Sequence, residues 1–286
     1  MILLEAGQST LEIDPALGGS IVSARWGSVD MMRPARDGGV LGASSFPLVP
    51  YSNRISGSAF EWRGEHIALR PNHPGDPDCP AIHGVGWSSE WAVAERDVSS
   101  AMLELLHSAD RDWPWSFRAR QQFNLLPDGI ELSLSIENIS DSAMPAGLGF
   151  HPFFPLTERT IYRGLHLGEW ATDDRCIPTQ LASAAEPRDW WQGEPVASRN
   201  VDTVYTGREG ELEIDWPERG IGLRMRPSDG LQFTTVYVPE GEDFFCVEPV
   251  SHMTDAFNRD GGDSGMRVLE PIEEWSVALG FDFLIL

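Results

Sequence analysis

The sequence has few or none of three features: paired cysteines, long apolar runs and basic residues. These features would indicate a disulfide-bonded protein, a membrane protein or a partner of nucleic acids. Only three cysteines occur among 286 residues, they lie far apart, and no two form a CxxC pair: Cys79, Cys176 and Cys246. An odd number of isolated thiols argues against a disulfide framework and indicates a reducing compartment, where cysteine behaves as a small apolar residue.

No apolar run approaches the ~20 residues that a helix needs to span a bilayer. The N-terminal residues 1–5 lack the basic region and the long apolar stretch of a signal peptide. We therefore expect a cytoplasmic protein without a membrane partner.

Basic residues are scarce, since 21 of them, all arginines, stand against 44 aspartates and glutamates, for a formal charge of −23. So acidic a surface repels phosphate backbones and anionic headgroups, which argues against a nucleic-acid partner as well as a membrane. Hydrophobic residues make up 41% and charged residues 23% of the chain. These proportions are typical of a folded globular protein and not of a disordered one.

What the sequence has in abundance is alternation of apolar and polar residues. Segments 130–136, 212–216 and 221–226 alternate without a break, and segment 117–123 does so more loosely. A period of two buries one face of a strand and wets the other, as in antiparallel sheets. The Pro-Asp-Gly sequence at 127–129 directly precedes the first of these segments and predicts a hairpin.

Helical periodicity is not found over any convincing length, and 28 glycines with 21 prolines leave little room for long helices. The least strand-like stretch, residues 179–199, is expected to be a loop with a short helical turn. Neither a repeat nor a linker divides the chain. We therefore predict a single all-β domain over residues 1–286.

Three ionisable residues stand in apolar or Gly/Pro-rich surroundings near the ends of predicted strands: His83, His151 and Glu248. Pro152 restricts His151 to extended backbone geometry, so its imidazole points in one direction. A histidine held in this way has a pKa that its surroundings can tune across neutrality. The three residues are therefore candidates for acid–base chemistry.

Segment 46–55 combines two prolines, two aromatic residues, Asn53 and Arg54, as in a rigid loop that presents polar groups. The guanidinium of Arg54 is always charged, and its fork of donors suits hydroxyls, carboxylates or a sugar ring oxygen. In so acidic a chain, an arginine that pairs with a structural carboxylate is equally expected. The residues alone leave both alternatives open.

The order of several short motifs along the chain resembles that of the aldose 1-epimerase (galactose mutarotase) family. They are Pro-Tyr-Ser-Asn-Arg-Ile at 50–55, His-Gly at 83–84, Gly-Leu-Gly-Phe-His-Pro-Phe-Phe at 147–154, Val-Glu-Pro at 247–249 and Asp-Ala-Phe-Asn at 255–258. The resemblance implies a single large antiparallel β-sandwich, the galactose mutarotase-like super-sandwich. It also implies interconversion of the α and β anomers of a free hexose, such as galactose or glucose, without a cofactor or a metal.

The resemblance further implies roles for six residues. His151 matches the general acid and Glu248 the general base, and four residues match sugar-binding positions: Asn53, Arg54, His83 and Asp202. The motif around Asp202 is weaker than the others. The implied partner is a small-molecule sugar, bound by a monomer or a homodimer. The segment after His83 departs from the family's glycine run, which leaves the identity of the sugar open.

Exchange of anomers requires a general base and a general acid, the roles matched by Glu248 and His151. The ring opens when a proton leaves the C1 hydroxyl while another arrives at the ring oxygen, and water does both poorly. Apolar neighbours at 244–247 are expected to raise the pKa of Glu248 and make it a better base. His151 is expected to act as the imidazolium that donates the second proton.

A metal site is an alternative role for three of these residues. His83, His151 and Glu248 are also the ligand types of a catalytic zinc site, but the spacing of a metal-binding helix such as HExxH is absent. Tryptophans at 113–115 and 190–191 could stack on a sugar, although tryptophans of a large β protein usually fill its core. His252 could orient the base Glu248 or lie in an exposed loop, and we expect the loop. His73 is expected to be structural or solvated.

Two functional alternatives stay open. An epimerase of an anionic sugar, such as a hexose 6-phosphate or a sulfonated hexose, needs further arginines in the cleft, for which Arg111, Arg118 and Arg163 are available. A non-catalytic carbohydrate-binding protein on the same fold is the second alternative, because a fold does not determine a function. The presence of both His151 and Glu248 favours the enzyme.

Overall fold

The computed structural model describes residues 1–189, 191, 193–259 and 264–286. These residues form six short 3-10 turns and 21 β-strands, and no helix among them has the length and apolar content needed to cross a membrane. The turns are Gly39–Gly42, Ser56–Ser58, Gly86–Ser88, Val196–Ser198, Pro217–Arg219 and Ala256–Asn258. The strands are β1 (Ile2–Ala6), β2 (Ser9–Asp14), β3 (Ser20–Trp26), β4 (Val29–Asp30), β5 (Ser45–Leu48), β6 (Ala59–Trp62), β7 (Glu65–Ala68), β8 (Ala92–Arg96), β9 (Ser100–His107), β10 (Phe117–Leu126), β11 (Gly129–Asn138), β12 (Met144–Ala146), β13 (Gly149–Pro155), β14 (Ile161–Thr172), β15 (Pro178–Asp189), β16 (Val201–Trp216), β17 (Ile221–Pro227), β18 (Phe233–Val238), β19 (Phe244–Val250), β20 (Arg267–Leu269) and β21 (Glu274–Ile285).

Seventeen of these strands are connected through antiparallel pairings into one sheet. From one edge, its first part runs β1, β2, β3, β5, β13, β19, β18 and β16. Its second part continues from β16 through β17, β21, β11, β10, β9 and β8. Strands β14 and β15 extend from β16, and the pairs β6–β7 and β12–β20 stand apart.

Strand β16 joins the two parts because its two ends have different partners. Residues 201–205 pair with β18, whereas residues 212–216 pair with β17. The two parts fold into layers around a large apolar cluster that draws buried side chains from both, including Leu11 and Val247 from the first layer and Leu134 from the second. The all-β, antiparallel sandwich expected from the sequence is confirmed.

The alternating segments all lie in strands. Segment 130–136 lies in β11, 212–216 in β16, 221–226 in β17 and 117–123 in β10. The predicted hairpin is also present, since β10 and β11 pair as far as Leu126 opposite Gly129. Alternation succeeds as a signal here because each of these strands buries only one of its faces.

The prediction of a loop over residues 179–199 is wrong for its first half. Strand β15 occupies that part and pairs with β14, with Gly168 opposite Ser183 and Trp170 opposite Leu181. Its sequence shows no clear alternation, so the strand owes its existence to the partner strand and not to a local pattern. The short helical turn is present at Val196–Ser198. Residues 190 and 192 of this stretch lie outside the described part.

A second apolar cluster lies on the other face of the first layer. Phe245 and Val247 of β19 point into the main cluster, whereas Phe244 and Cys246 belong to the second one. Successive side chains of a strand point to opposite faces, which separates the two sets. The second cluster forms the support on which the candidate site is built.

Candidate active site

His151 and Glu248 face each other across two neighbouring strands of the first layer. In the pairing of β13 with β19, Gly149 is opposite Val250 and Phe153 is opposite Cys246, and this register sets His151 opposite Glu248. Side chains at opposite positions lie on the same side of a sheet. The Nε2 atom of His151 is 3.3 Å from Oε1 of Glu248.

A second row of side chains lies beside this pair and is displaced from it by two residues along the strands. Phe153 is opposite Cys246, Cys246 is opposite Tyr237, and Tyr237 is opposite Asp202. Alternate residues share a face, so this row lies on the same side of the sheet as His151 and Glu248. The sheet thus brings Asp202 of β16 to a site whose other members lie on β13 and β19.

Two loops bound the site opposite the sheet. The backbone N–H of His83 donates to the carbonyl of Asn53 at 3.1 Å, and the backbone N–H of Asn53 donates to Nδ1 of His83 at 3.1 Å. Both residues have a φ of 59°, a left-handed conformation in which asparagine and histidine are enriched among non-glycine residues. These two hydrogen bonds join the loops and orient the ring of His83.

The sheet and the loops enclose a cavity of about 310 Å³, which is in the size range of small-molecule sites. All six residues that the sequence analysis assigned to the site line it: Asn53, Arg54, His83, His151, Asp202 and Glu248. Six further lining residues were missed: Leu41, His73, Ile82, Phe153, Tyr237 and Phe244. A larger groove of about 1310 Å³ beside β16 and β17 contains none of the six assigned residues.

Aromatic rings and a buried cation surround His151. The rings of Phe46 and Phe153 lie 4.4 and 4.7 Å from the imidazole, centroid to centroid, and the guanidinium of Arg33 lies 4.0 Å from the centroid of Phe153. Burial lowers the pKa of His151 to about 3, and the charges of Arg33 and Arg54 act in the same direction. The imidazole is therefore neutral at pH 7 in the free protein.

Burial also disfavours the charged form of Glu248. It raises the pKa of the carboxyl well above its ordinary value, with the charge of Asp202 acting in the same direction and Arg54 opposing it. The raised pKa expected from the sequence is confirmed, whereas the expected imidazolium at His151 is wrong for the free protein. Desolvation disfavours the charged form of both partners, so a single proton shared by the pair is favoured on the carboxyl of Glu248 over the imidazole of His151.

Arg54 is oriented by two neighbours. Its Nη2 donates to Oδ2 of Asp202 at 3.2 Å, and its Nη1 donates to Oδ1 of Asn53 at 3.2 Å. Burial opposes the charge of the guanidinium, but the attraction and hydrogen bond of Asp202, together with smaller contributions from Cys176 and Cys79, offset it, and the pKa of Arg54 is raised. Arg54 therefore combines the two alternatives left open by the sequence, because it pairs with a carboxylate and also lines the cavity.

His83 presents a donor. Burial, together with the neighbouring His151 and Arg54, lowers the pKa of His83 well below its ordinary value. In the resulting neutral ring, Nδ1 accepts the N–H of Asn53, so the proton resides on Nε2. This N–H belongs to a side chain that lines the cavity, so it is available to donate to an oxygen atom of a ligand.

The expectation of an exposed loop at His252 is wrong. The side chain is buried, its Nε2 accepts the backbone N–H of Ser52 at 3.0 Å, and its Nδ1 donates to the carbonyl of Met253 at 2.8 Å. His252 thereby anchors the loop that carries Asn53 and Arg54. Its partner is 200 residues away in the chain, so local sequence contained no signal for this role.

The arginines considered for an anionic sugar lie elsewhere. Arg118 pairs with Glu137 on β10 and β11, and Arg163 pairs with Asp215 on β14 and β16. Arg111 is exposed, and none of the three lines the cavity. The tryptophans considered for stacking are also elsewhere: Trp113, Trp115 and Trp191 are buried in the main core, and Trp190 lies outside the described residues.

One group among the described residues brings three metal-ligating atoms within 4.8 Å of one another, and it consists of His151, Cys246 and Glu248. All three side chains are buried. His83, which the sequence analysis combined with His151 and Glu248, is not part of this group.

Comparison with known proteins agrees with the fold. A sequence model of the family described as aldose 1-epimerase matches residues 1–282. The Escherichia coli K12 protein YphB, described as uncharacterized, is 29% identical over 274 residues, which cover 92% of this chain and 93% of YphB.

Two solved structures are similar over their whole length. A candidate aldose 1-epimerase from Escherichia coli K12 has a TM-score of 0.90 and 28% identity, covering 99% of this chain and 98% of that chain. A galactose mutarotase-like protein from Clostridium acetobutylicum has a TM-score of 0.85 and 18% identity, covering 99% and 95% of the two chains. At 18% identity the second likeness shows the fold alone.

Proposed function

The chain belongs to the aldose 1-epimerase family, and on that premise we propose that it interconverts the α and β anomers of a free, uncharged hexose such as galactose or glucose. The observation that carries the proposal is the 3.3 Å approach of His151 Nε2 to Glu248 Oε1 beside a cavity of about 310 Å³. Two titratable groups with opposite pKa shifts in one small-molecule cavity are typical of an acid–base site.

The proposed reaction moves two protons without net uptake. The carboxylate of Glu248 takes the proton of the C1 hydroxyl, and the imidazolium of His151 gives its proton to the ring oxygen. The bond between C1 and the ring oxygen breaks, so C1 becomes an aldehyde carbon and the ring oxygen a hydroxyl. After rotation about the C1–C2 bond, the hydroxyl attacks the other face of C1 and both protons return.

The resting state of the pair is compatible with this step. Neutral imidazole with carboxylic acid, and imidazolium with carboxylate, contain the same number of protons and differ by one transfer between atoms 3.3 Å apart. Hydroxyls of a bound sugar would supply hydrogen bonds that favour the charged form of the pair. In either form the pair contains one acid and one base.

We assign sugar-binding roles to the remaining four residues. The Nε2–H of His83 would donate to a sugar oxygen, and the Arg54–Asp202 pair offers a donor and an acceptor side by side, which suits a hydroxyl group. The side chain of Asn53 keeps the guanidinium in place through its Oδ1. The rings of Phe153, Tyr237 and Phe244 provide apolar faces for the C–H side of the sugar.

The charge of the site favours an uncharged sugar over an anionic one. Arg54 is the only arginine among the described residues that line the cavity, and Asp202 matches its charge. A phosphate or sulfonate would therefore have to compete with a carboxylate that is already in place. Fully ionised anions need unmatched donors to offset the loss of their hydration.

The direct test is polarimetry of freshly dissolved α-glucose and α-galactose with and without the protein. We expect acceleration by the wild-type chain and a loss of about 10²–10⁴-fold in kcat for Glu248→Gln and for His151→Asn. The double variant should fall little below the slower single one, because the two residues act as a unit.

Matched controls are Glu240→Gln, which changes an exposed carboxyl on the β18–β19 hairpin, and His66→Asn, which changes an exposed imidazole. Both should retain wild-type rates. Acceleration that survives substitution of both His151 and Glu248 would refute the assigned roles. Activity confined to a 6-phosphate or a sulfonated hexose would favour the anionic alternative, and sugar binding without acceleration would favour a binding protein.

A further inference from the structure

A free thiol lies beside the proposed acid–base pair. Cys246 is fully buried in β19, two residues before Glu248, and its Sγ lies within 4.8 Å of the ligating atoms of both His151 and Glu248. The proposed reaction makes no use of this thiol. We propose that His151, Cys246 and Glu248 form a binding site for one thiophilic divalent cation, Zn²⁺, and that the bound ion blocks turnover of the sugar.

The spacing of the ligating atoms is already close to that of a zinc site. Nitrogen and oxygen ligands at tetrahedral positions around Zn²⁺ are about 3.3 Å apart, given bond lengths of about 2.0–2.1 Å. The corresponding distance between His151 Nε2 and Glu248 Oε1 is 3.3 Å. A sulfur ligand belongs about 3.6 Å from each of the other two. Because Sγ of Cys246 lies within 4.8 Å of both, it needs to approach by about 1.2 Å at most.

The backbone supports this geometry. Cys246 and Glu248 are separated by one residue on a strand and point to the same face, and His151 stands opposite Glu248 on the adjacent strand. The three ligands therefore come from central strands of the sheet and not from mobile loops. Ligands held on rigid elements lose little freedom when the ion binds.

The chemistry of the ligand set selects the ion. One thiolate, one imidazole and one carboxylate are the soft-to-intermediate ligands that suit Zn²⁺, whereas Mg²⁺ and Ca²⁺ prefer sites built from oxygen alone. In the bound state the anionic forms of Cys246 and Glu248 balance the two positive charges of the ion. This neutrality matters because an unbalanced charge in a buried site is costly.

The ion has a route to the site and leaves one position open. His151 and Glu248 line the cavity, so the ion enters as the sugar does, and a water molecule completes a site of three protein ligands. Coordination occupies the same lone pairs that the proposed reaction needs for proton transfer. The inhibition therefore rests on the proposed function, whereas the binding of the ion does not.

The test uses the full-length chain, without an affinity tag and freed of metal, titrated with ZnCl₂ in competition with a chromophoric chelator. We expect one Zn²⁺ per chain and weaker binding by about 100-fold in Cys246→Ser and in Cys246→Ala, since loss of a ligand costs at least as much as loss of a supporting contact. Cys176→Ser is the matched control, because Cys176 is a half-buried free thiol of the same chain outside the ligand group.

Co²⁺ provides a second measurement that does not depend on activity. Bound Co²⁺ should show a thiolate-to-metal charge-transfer band in the wild-type chain and in Cys176→Ser, and the band should be missing in Cys246→Ser. Zinc should also slow mutarotation in competition with the sugar and reversibly with a chelator, whereas MgCl₂ should not.

Zinc binding that is absent, or unchanged by both substitutions of Cys246, would overturn the proposal. So would a cobalt complex without a Cys246-dependent band. If the protein proves inactive on every sugar, stoichiometric and Cys246-dependent binding still supports the metal site. The failure of the proposed function and the failure of the metal site are therefore distinguishable.

Discussion

The imidazole of His151 and the carboxyl of Glu248 approach to 3.3 Å because antiparallel strands from distant parts of the chain set them directly opposite each other. Neither loop closure nor a side-chain hinge is needed for this contact. The contact is therefore part of the sheet itself, and the pKa shifts of the two groups follow from burying that part of the sheet among aromatic rings.

The pH dependence of activity should reflect these shifts. We expect kcat/KM for mutarotation not to fall as the pH is lowered from about 7 to about 5.5, because the lowered pKa of His151, about 3, lies well below this range and the raised pKa of Glu248 helps the pair to retain its proton. Below the lower pKa the pair lacks a proton acceptor, and above the upper pKa it lacks a donor. Polarimetry under conditions where circular dichroism shows the folded state measures this profile. A loss of activity with a midpoint near pH 6.5 would contradict it.

The Arg54–Asp202 pair should act mainly on sugar binding. We expect Arg54→Ala and Asp202→Ala each to raise KM by about tenfold with little change in kcat, because in the proposed function the pair binds hydroxyls that do not react. The double variant should reveal a coupling of about 1 kcal/mol, as is typical of residues in direct contact. Arg70→Ala is the control, since Arg70 forms an equally direct pair with Asp112 outside the cavity. Additive effects of the two substitutions would show that the pair does not act jointly.

His252 should position the sugar-binding loop without contacting the sugar. We expect His252→Phe to leave the backbone N–H of Ser52 without its acceptor, which costs about 1–3 kcal/mol of the free energy of unfolding. The displaced loop should raise KM more than it lowers kcat. Urea denaturation and initial-rate polarimetry measure the two effects, and partial rescue is expected from His252→Gln, whose side-chain oxygen can accept the N–H. A variant with reduced stability and an unchanged KM would restrict His252 to a structural role.

Acid should destabilise the fold through its buried histidines. Burial lowers the pKa of His166 and of His252 to about 4, compared with 6.5 for an ordinary histidine. A lowered pKa means that the stabilisation is complete above pH 6.5 and is lost as the pH falls from 6.5 towards 4. At pH 5 the loss is about 2 kcal/mol for each histidine, from about 1.4 kcal/mol per pH unit.

This prediction is tested by urea denaturation at pH 7 and pH 5. His166→Asn retains a donor for the carbonyl of Gly164 and should reduce the difference between the two pH values by about 2 kcal/mol. His66→Asn, at an exposed position, should leave the difference unchanged. Equal pH dependence in the wild-type chain and in His166→Asn would exclude the contribution of His166.

The strands that could be predicted from the sequence are those that bury only one face. Residues 130–136 alternate strictly and lie in β11, whereas β15 shows no such pattern and was missed. The difference is physical, because alternation results from one wet and one dry face, while β15 depends on its pairing with β14. His252 was misplaced for a similar reason, since its burial depends on a loop 200 residues away.

Short segments of the sequence establish which chemical groups are available and how each is held locally. Pro152 next to His151, the apolar neighbours of Glu248 and the Asn53-Arg54 motif are all properties of short segments, so they could be read without a structure. The distances between these groups, and the preference of a shared proton for one of them, depend on the folded chain. Distance depends on the register between strands that are remote in the chain, and desolvation depends on everything packed around a group, so neither is contained in any local pattern.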